Sequence, residues 1–343
     1  MHTSRAMRRA AALLCALCLP ACDPADAPMT DKGLGTWVAM PGELPAGATA
    51  VWGVSKTQVY AVGAGGASRY DGDAWRRLDG VPDGSYRAVW GRSSAQVWLG
   101  GDDVLLALTP SGWQPQPLLD WGVAIDHYSV LALAGDAYGE YALVNVGGQT
   151  LLLQNDGSAW QTPLWASGYP LPTSPGLLAT PFRLLAAGDE GVIECATTGE
   201  LGVTAWDAYP FLATRDLRAL RAISGTTDYF AVAGGSRVAF YRDDTAEVVV
   251  LGDDRPLDRR RDALAVYAPA QGQAFVAGRS LGTSPIEACD TTGCALEKVP
   301  AGSEGMTVRA LWGDGCGTVI AVGDVALRRQ GPAATGCACA ECR

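Results

Sequence analysis

Ala50-Val51-Trp52-Gly53, the polar turn Ser55-Lys56-Thr57-Gln58, and then Val59-Tyr60-Ala61-Val62-Gly63 form the stretch that decides the fold. Two short apolar runs around a polar turn, the second ended by Gly, read as a pair of antiparallel strands. Neither run reaches helical length, and the residues between them carry turn chemistry. The same grammar returns in Arg87-Ala88-Val89-Trp90-Gly91 with Val97-Trp98-Leu99-Gly100-Gly101, and in Ala310-Leu311-Trp312-Gly313 with Val319-Ile320-Ala321-Val322-Gly323. In all three the closing Gly stands eleven positions after the Trp.

Weaker copies keep this spacing with another apolar residue in the Trp place. Ile223 precedes Gly234 by eleven and Tyr267 precedes Gly278 by eleven. Two looser copies fit near Leu133, with Tyr141 to Gly147, and near Leu177, with Leu184 to Gly188. The seven anchors Trp52, Trp90, Leu133, Leu177, Ile223, Tyr267 and Trp312 are then 38 to 46 residues apart. A period of that size marks a repeated unit that buries its faces only against its neighbours. Each unit continues with a third strand such as Ala67-Ser68-Arg69-Tyr70, a tight-hairpin signal in Asp71-Gly72, and a fourth strand from Trp75. Gly accepts the positive φ of a type I′ turn, which makes Asp-Gly such a signal. Asn155-Asp156-Gly157-Ser158-Ala159-Trp160 repeats the feature, and Ser111-Gly112-Trp113 shortens it.

Four strands at a period near 44 residues meet the needs of a β-propeller blade. The pattern resembles kelch-like and other Trp-containing propeller repeats. It is nearest to the seven-bladed type of bacterial lipoproteins with Trp-Gly, Ala-Val-Gly, Tyr-Asp-Gly and Trp landmarks. It lacks the regular Gly doublet of kelch repeats, and Asp71 and Gly72 are adjacent, unlike sialidase-type Asp boxes. The resemblance spans roughly residues 35 to 331 and implies an all-β, seven-bladed β-propeller of four-stranded antiparallel blades. The last unit offers three strands, Val308 to Trp312, Thr318 to Val322 and Val325 to Gln330. Gly35-Thr36-Trp37-Val38-Ala39-Met40 reads like the fourth strand at Ala74-Trp75-Arg76-Arg77-Leu78. It is expected to pair with Val325 to Gln330, closing the ring and removing an exposed edge.

Ahead of the repeat, Met1 to Arg9 carries three Arg and no acid, and Ala10 to Leu19 is apolar but too short to span a bilayer. Leu19-Pro20-Ala21-Cys22 resembles the lipobox of bacterial lipoprotein signal peptides. That resemblance implies a Cys22 that is diacylated on sulfur and becomes the new N-terminus, a stable membrane anchor. The expected division is a signal peptide at 1–21, a Pro-rich acidic tether at 22–34, the propeller at 35–331 and a Cys-rich tail at 332–343. Asp23 resembles the inner-membrane retention signal of enteric bacteria, a rule that does not hold in every lineage. The expected location is therefore the cell envelope, at the outer membrane or the periplasmic face of the inner one.

Composition narrows the function. Hydrophobic residues at 48% and charged ones at 18% exclude a disordered chain. The net charge of −10 becomes −13 without Arg5, Arg8 and Arg9 of the leader, and such a chain repels phosphate backbones, so no nucleic-acid partner is expected. Arg259-Arg260-Arg261, flanked by Asp253, Asp254, Asp258 and Asp262, reads as a solvated loop. With His2 in the leader, His127 stands alone, which argues against a His-rich metal site or a Ser-His-Asp triad and for a structural role. No metal or other cofactor is expected.

Disulfides are the default for an exported chain. Cys289 and Cys294 bracket a hairpin turn, and Cys316 is placed to reach the tail residues Cys337, Cys339 and Cys342. The alternative for the tail is a thiolate metal site completed by Cys316. Cys195 is left over.

No catalytic constellation stands out. Gly63-Ala64-Gly65-Gly66 is a turn with no helix after it to present amides to a phosphate. Asp102-Asp103, Asp243-Asp244 and Asp253-Asp254 read as solvated turn residues rather than acid pairs or calcium ligands. The expectation is a monomeric, membrane-anchored binding or scaffold module for an envelope protein or glycan. Two alternatives stand beside it. One is a carbohydrate-active enzyme, a sialidase-like hydrolase or lyase, which needs convergent carboxylates with Arg and Tyr. The other is an envelope-assembly factor, by analogy of fold. Arg87 and Arg309, each three before a Trp, are candidates to line the central channel or its rim, with packing between blades as the other reading.

Overall fold

Apolar runs punctuated by Gly and Asp-Gly fold as meanders, beginning with Ala50–Ser55, Gln58–Gly63, Gly66–Tyr70 and Trp75–Arg77, which pair antiparallel in chain order. The computed structural model describes residues 35–330 apart from 121, 136–138, 164–170, 172–175, 180–182, 189–190, 197–205, 210–216, 223–228, 235–236, 244–247, 251–254, 257–261, 271–272, 280–283, 291 and 316. Among the described residues the protein is all-β, and its strands form seven sheets. The sheets begin, in chain order, with Ala50–Ser55, Tyr86–Ser93, Ser129–Gly135, Gly176–Ala179, Leu217–Ala222, Asp262–Ala270 and Val308–Gly313. Five have four strands. The third adds Leu118–Asp120 and Val123–Ala124, and the fifth adds Arg255–Pro256. The first strand of each sheet touches the first strand of the next, and that of the seventh touches that of the first. Apolar clusters fill the spaces between neighbouring sheets.

The seventh sheet joins the two ends of the described chain. Thr36–Ala39 lies antiparallel to Ala326–Gln330 with Trp37 opposite Arg329, and Val319–Gly323 and Val308–Gly313 follow.

At the Asp-Gly hairpins the turn differs from the expected type. Positive φ falls on Gly72 (+101°) and Gly157 (+91°) but not on the next residue, so the reversal has the Gly-first character of a II′ turn. Asp71 and Asp156 stand just before it. The Asp71 Oδ1 accepts the N–H of Asp73 (3.0 Å) and Ala74 (2.9 Å), and Asp156 Oδ1 accepts those of Ser158 (2.8 Å) and Ala159 (2.9 Å). The carboxylate thereby replaces a backbone acceptor, which is why Asp is useful at that place.

Three outer strands begin at or contain a buried Trp whose backbone is clamped by the segment leaving the preceding sheet. The Trp75 N–H bonds Pro41 C=O (2.9 Å), the Trp160 N–H bonds Pro117 C=O (3.1 Å) and the Trp37 N–H bonds Lys298 C=O (2.9 Å). Each clamping segment runs parallel to the strand it covers. Backbone groups that would otherwise form an open edge are thus occupied.

The Trp-Gly dipeptide serves two interfaces at once. A Cβ on Gly53 would meet the Trp312 ring, one on Gly91 the Trp52 ring, one on Gly135 the Trp90 ring and one on Gly313 the Tyr267 ring. Each aromatic residue therefore lies over the Gly of the following sheet. The cross-strand register also moves three anchors. Ala134 pairs with Tyr141, Leu178 with Leu185 and Arg221 with Ala231, as Trp52 pairs with Tyr60 and Trp90 with Trp98. The Trp places of sheets three to five are thus Ala134, Leu178 and Arg221, one or two residues from Leu133, Leu177 and Ile223. Val144, and not Gly147, stands at the closing position of the third sheet. Where the preceding sheet offers no aromatic ring, the residue after the Trp place is Ala: Ala179, Ala222 and Ala268. Glycine is needed only where an indole or phenol must approach the backbone.

Candidate functional site

A cavity of about 100 Å³ lies where the first strands converge. Six of the seven sheets contribute to its described wall, through Thr49, Val89, Leu133, Leu177, Val266 and Leu311 among others, with Arg87 and Arg309 adding guanidinium groups. The wall holds no carboxylate among the described residues.

The two arginines reach it through bulges. The register of the second sheet passes from Tyr86 opposite Gly101 to Ala88 opposite Gly100, so Arg87 has no partner across the strand pair. Arg309 is skipped in the same way between Val308 and Ala310. A bulge turns the extra side chain out of the pleat, which here places it on the axial wall. The closing Gly permits this approach: a Cβ on Gly101 would fall 2.9 Å from the Tyr86 Cα.

Both arginines are oriented by an aspartate fifteen residues on, directly after the closing Gly. The Arg87 Nε and Nη2 donate to the two carboxylate oxygens of Asp102 at 3.0 Å each. Asp102 also accepts the Ser129 hydroxyl of the third sheet. The bond from Arg87, with that from Ser129, holds the Asp102 carboxyl below the usual range against its partial burial. The Arg309 Nη1 donates to Asp324 Oδ1 (2.7 Å), whose other oxygen accepts the Thr307 N–H (3.0 Å). Burial pushes the Asp324 carboxyl up, but the Thr307 N–H and the Arg309 guanidinium outweigh it and hold the group below its ordinary value.

Asp102 is therefore more than a solvated turn residue. It ties an axial arginine to the next sheet. Asp103, at φ +54°, accepts the Tyr128 N–H (2.9 Å). Asp243-Asp244, Asp253-Asp254 and the Arg259-Arg260-Arg261 run lie outside the described side chains. His127 is 92% exposed, with Nδ1 3.7 Å from Asp103, so it is a surface residue and not a packed one. Sequence reasoning missed the aspartates as partners, although a shared fifteen-residue spacing from Arg to Asp signals them.

A second polar group lies away from the axis. Burial pushes the Glu140 carboxyl up, while the Asn155 amide (2.6 Å) and Arg92 (3.6 Å) favour its charged form.

Cys289 and Cys294, directly opposite across their strands, are joined by a disulfide. Together with Glu287 they form the His, Cys and acid cluster found among the described residues, and the bonded sulfurs are not available as thiolate ligands. Cys22, Cys316, Cys337, Cys339 and Cys342 lie outside the described residues, as does the leader. No helix among the described residues is long and apolar enough to cross a membrane.

No family model and no curated protein matches the sequence. Solved structures do resemble it. A structure of YCF48 bound to D1 peptide aligns with a TM-score of 0.61 at 16% identity, covering 85% of this chain and 96% of the other. The WD40 β-propeller domain of Doa1 aligns at 0.56 and 12% identity, covering 86% and 97%. The extracellular domain of the one-component system BT4673 from B. thetaiotaomicron aligns at 0.58 and 10% identity, covering 83% of this chain and 40% of that one. At such identities the likeness speaks to architecture, and the chain has a β-propeller fold.

Proposed function

We propose that this chain is a seven-bladed, ring-closed β-propeller that is anchored to a membrane of the cell envelope through Cys22 and binds a protein or peptide at its axial cavity. The observation that carries the binding reading is the cavity itself, where two arginines, each held in place by an aspartate, stand among aliphatic residues. Oriented donors on a rigid frame suit recognition. The cyclic contacts between first strands and the pairing of Thr36–Ala39 with Ala326–Gln330 support ring closure. The lipobox-like Leu19-Pro20-Ala21-Cys22 supports the anchor, and residues 22–34 then act as its tether. A peptide in the YCF48 structure supports a peptide-binding use of this fold, and the extracellular domain among the neighbours agrees with life outside the cytoplasm. Hydrolysis of a glycan finds less support, since the described cavity wall offers no pair of carboxylates.

Two measurements test the proposal. Labelled palmitate is expected in the wild type and not in Cys22→Ser, which is expected to leave the membrane fraction; a Cys22→Ser protein still held in membranes removes the anchor. A photo-crosslinking residue at Leu131, on the cavity wall, is expected to capture a partner in intact cells, while one at the exposed Glu304 is not. Equal capture at both positions, or none at Leu131, overturns axial binding.

A further inference from the structure

The bulges that carry Arg87 and Arg309 belong to a wider pattern. The register also skips Leu131 between Val130 and Ala132, Arg218 between Leu217 and Ala219, and Leu264 between Ala263 and Ala265. Leu131 and Leu264 line the cavity beside Arg87 and Arg309. Four of the five skipped residues line the cavity, and Arg218 occupies the same register position in the fifth sheet. It stands three before Arg221, as Arg87 stands three before Trp90 and Arg309 three before Trp312.

The skipped residues lie near the start of their strands, while Val89, Leu133, Val266 and Leu311 follow two residues later on the same wall. At the strand starts the wall carries Arg87 and Arg309 beside Leu131 and Leu264, and beyond them it is aliphatic. Its own chemistry shows what the arginines accept: each takes a carboxylate, Asp102 in two-point geometry and Asp324 through one bond. A guanidinium has five N–H donors, so these bonds leave capacity for a second carboxylate.

We propose that the axial cavity binds the C-terminus of a peptide that ends in an aliphatic residue, with Arg87 and Arg309 taking the terminal carboxylate and the leucines and valines taking the last side chain. This rests on the reading of the protein as a peptide-binding module and adds the ligand's chemical class.

The test uses the full folded chain and three probes in calorimetric titrations: acetyl-Ala-Ala-Leu as the free acid, the same peptide as its C-terminal amide, and octanoate. The free acid is expected to bind the wild type at least tenfold more tightly than the amide. Arg87→Gln and Arg309→Gln are each expected to cut that preference several-fold, and the two together to abolish it. Thermal melts confirm that each variant is folded, and Arg87→Lys, which keeps the charge but loses the fork, is expected to retain an intermediate preference. Equal binding of acid and amide, no binding of either peptide, or an undiminished preference in the double variant overturns the carboxylate site. Octanoate binding more tightly than the peptide overturns the peptide assignment. The reading beneath it fails separately: if the Leu131 crosslinker captures no partner while the free acid still binds, the module reading is wrong and the carboxylate site stands.

Discussion

Trp37, Trp75 and Trp160 share one backbone arrangement and differ in what meets the indole N–H. All three are 2% exposed or less, and each is clamped by a segment from the preceding sheet. The Trp37 Nε1 donates to Glu297 Oε2 (3.1 Å), and the same oxygen accepts Arg329 Nε (3.1 Å). Arg329 in turn lies over the Phe275 ring at 4.9 Å. The Nε1 atoms of Trp75 and Trp160 are buried with no hydrogen-bond partner among the described residues.

The two simpler strands arrive by their own hairpins, from Asp71-Gly72 and Asp156-Gly157. Trp37 must find Glu297 across 260 residues of chain, and bringing such distant segments together costs loop entropy. A buried ion pair adds little net stability, but any misplaced strand leaves a charge buried and alone. The cluster of Trp37, Glu297, Arg329 and Phe275 is in that sense a check on correct pairing, placed at the seam where no hairpin enforces it.

The comparison is most strongly broken by Glu297→Ala. Arg329, with its side chain 5% exposed, would lose its buried counter-charge, and the loss is expected to be about 3–5 kcal/mol, read as a lowered midpoint in urea unfolding. An unchanged midpoint would remove the cluster from the energetics of the fold. Smaller effects sharpen the contrast between the tryptophans. Trp37→Phe is expected to cost about 1.5–3 kcal/mol through the lost bond to a charged group, while Trp75→Phe and Trp160→Phe, which remove an unpaired N–H, cost clearly less. Similar losses at all three sites would show that the indole bond is immaterial.

The smallest effect is acid sensitivity. The Ala74 N–H, with Arg76, holds the Asp71 carboxyl below the usual range, and the Ala159 N–H does so for Asp156. A lowered carboxylate contributes its stability in full above the unfolded value of about 3.9 and loses it as pH falls through the folded value. Amide exchange at Trp75 and Trp160, corrected for intrinsic rates, is therefore expected to quicken below about pH 4 ahead of that at Trp37, whose strand follows no such turn. Simultaneous quickening at all three amides would place the weak point elsewhere.

Legibility followed the range of the interaction. Hairpins, polar turns and closing glycines depend on neighbours in sequence, and they were readable in the first, second and seventh units. The anchors of the third, fourth and fifth units were misplaced by one or two residues because the spacing between the first two strands varies: the Trp place pairs with a residue seven on in the third and fourth sheets and ten on in the fifth, against eight in the first and second. Arg218 escaped notice for that reason: counting from Ile223 instead of Arg221 hides its equivalence to Arg87 and Arg309.

The amino-acid sequence by itself determined the repeat, the four-strand grammar and the likeness of residues 35–40 to an outer strand, since these rest on spacing and turn chemistry. Tertiary structure alone decided why Gly follows Trp, because the ring that excludes a side chain from Gly53, Gly91 or Gly313 belongs to the preceding sheet. It also decided that two arginines 222 positions apart face one cavity. Both are contacts between repeats, set when sheets pack around an axis, and no pattern within a single repeat encodes them.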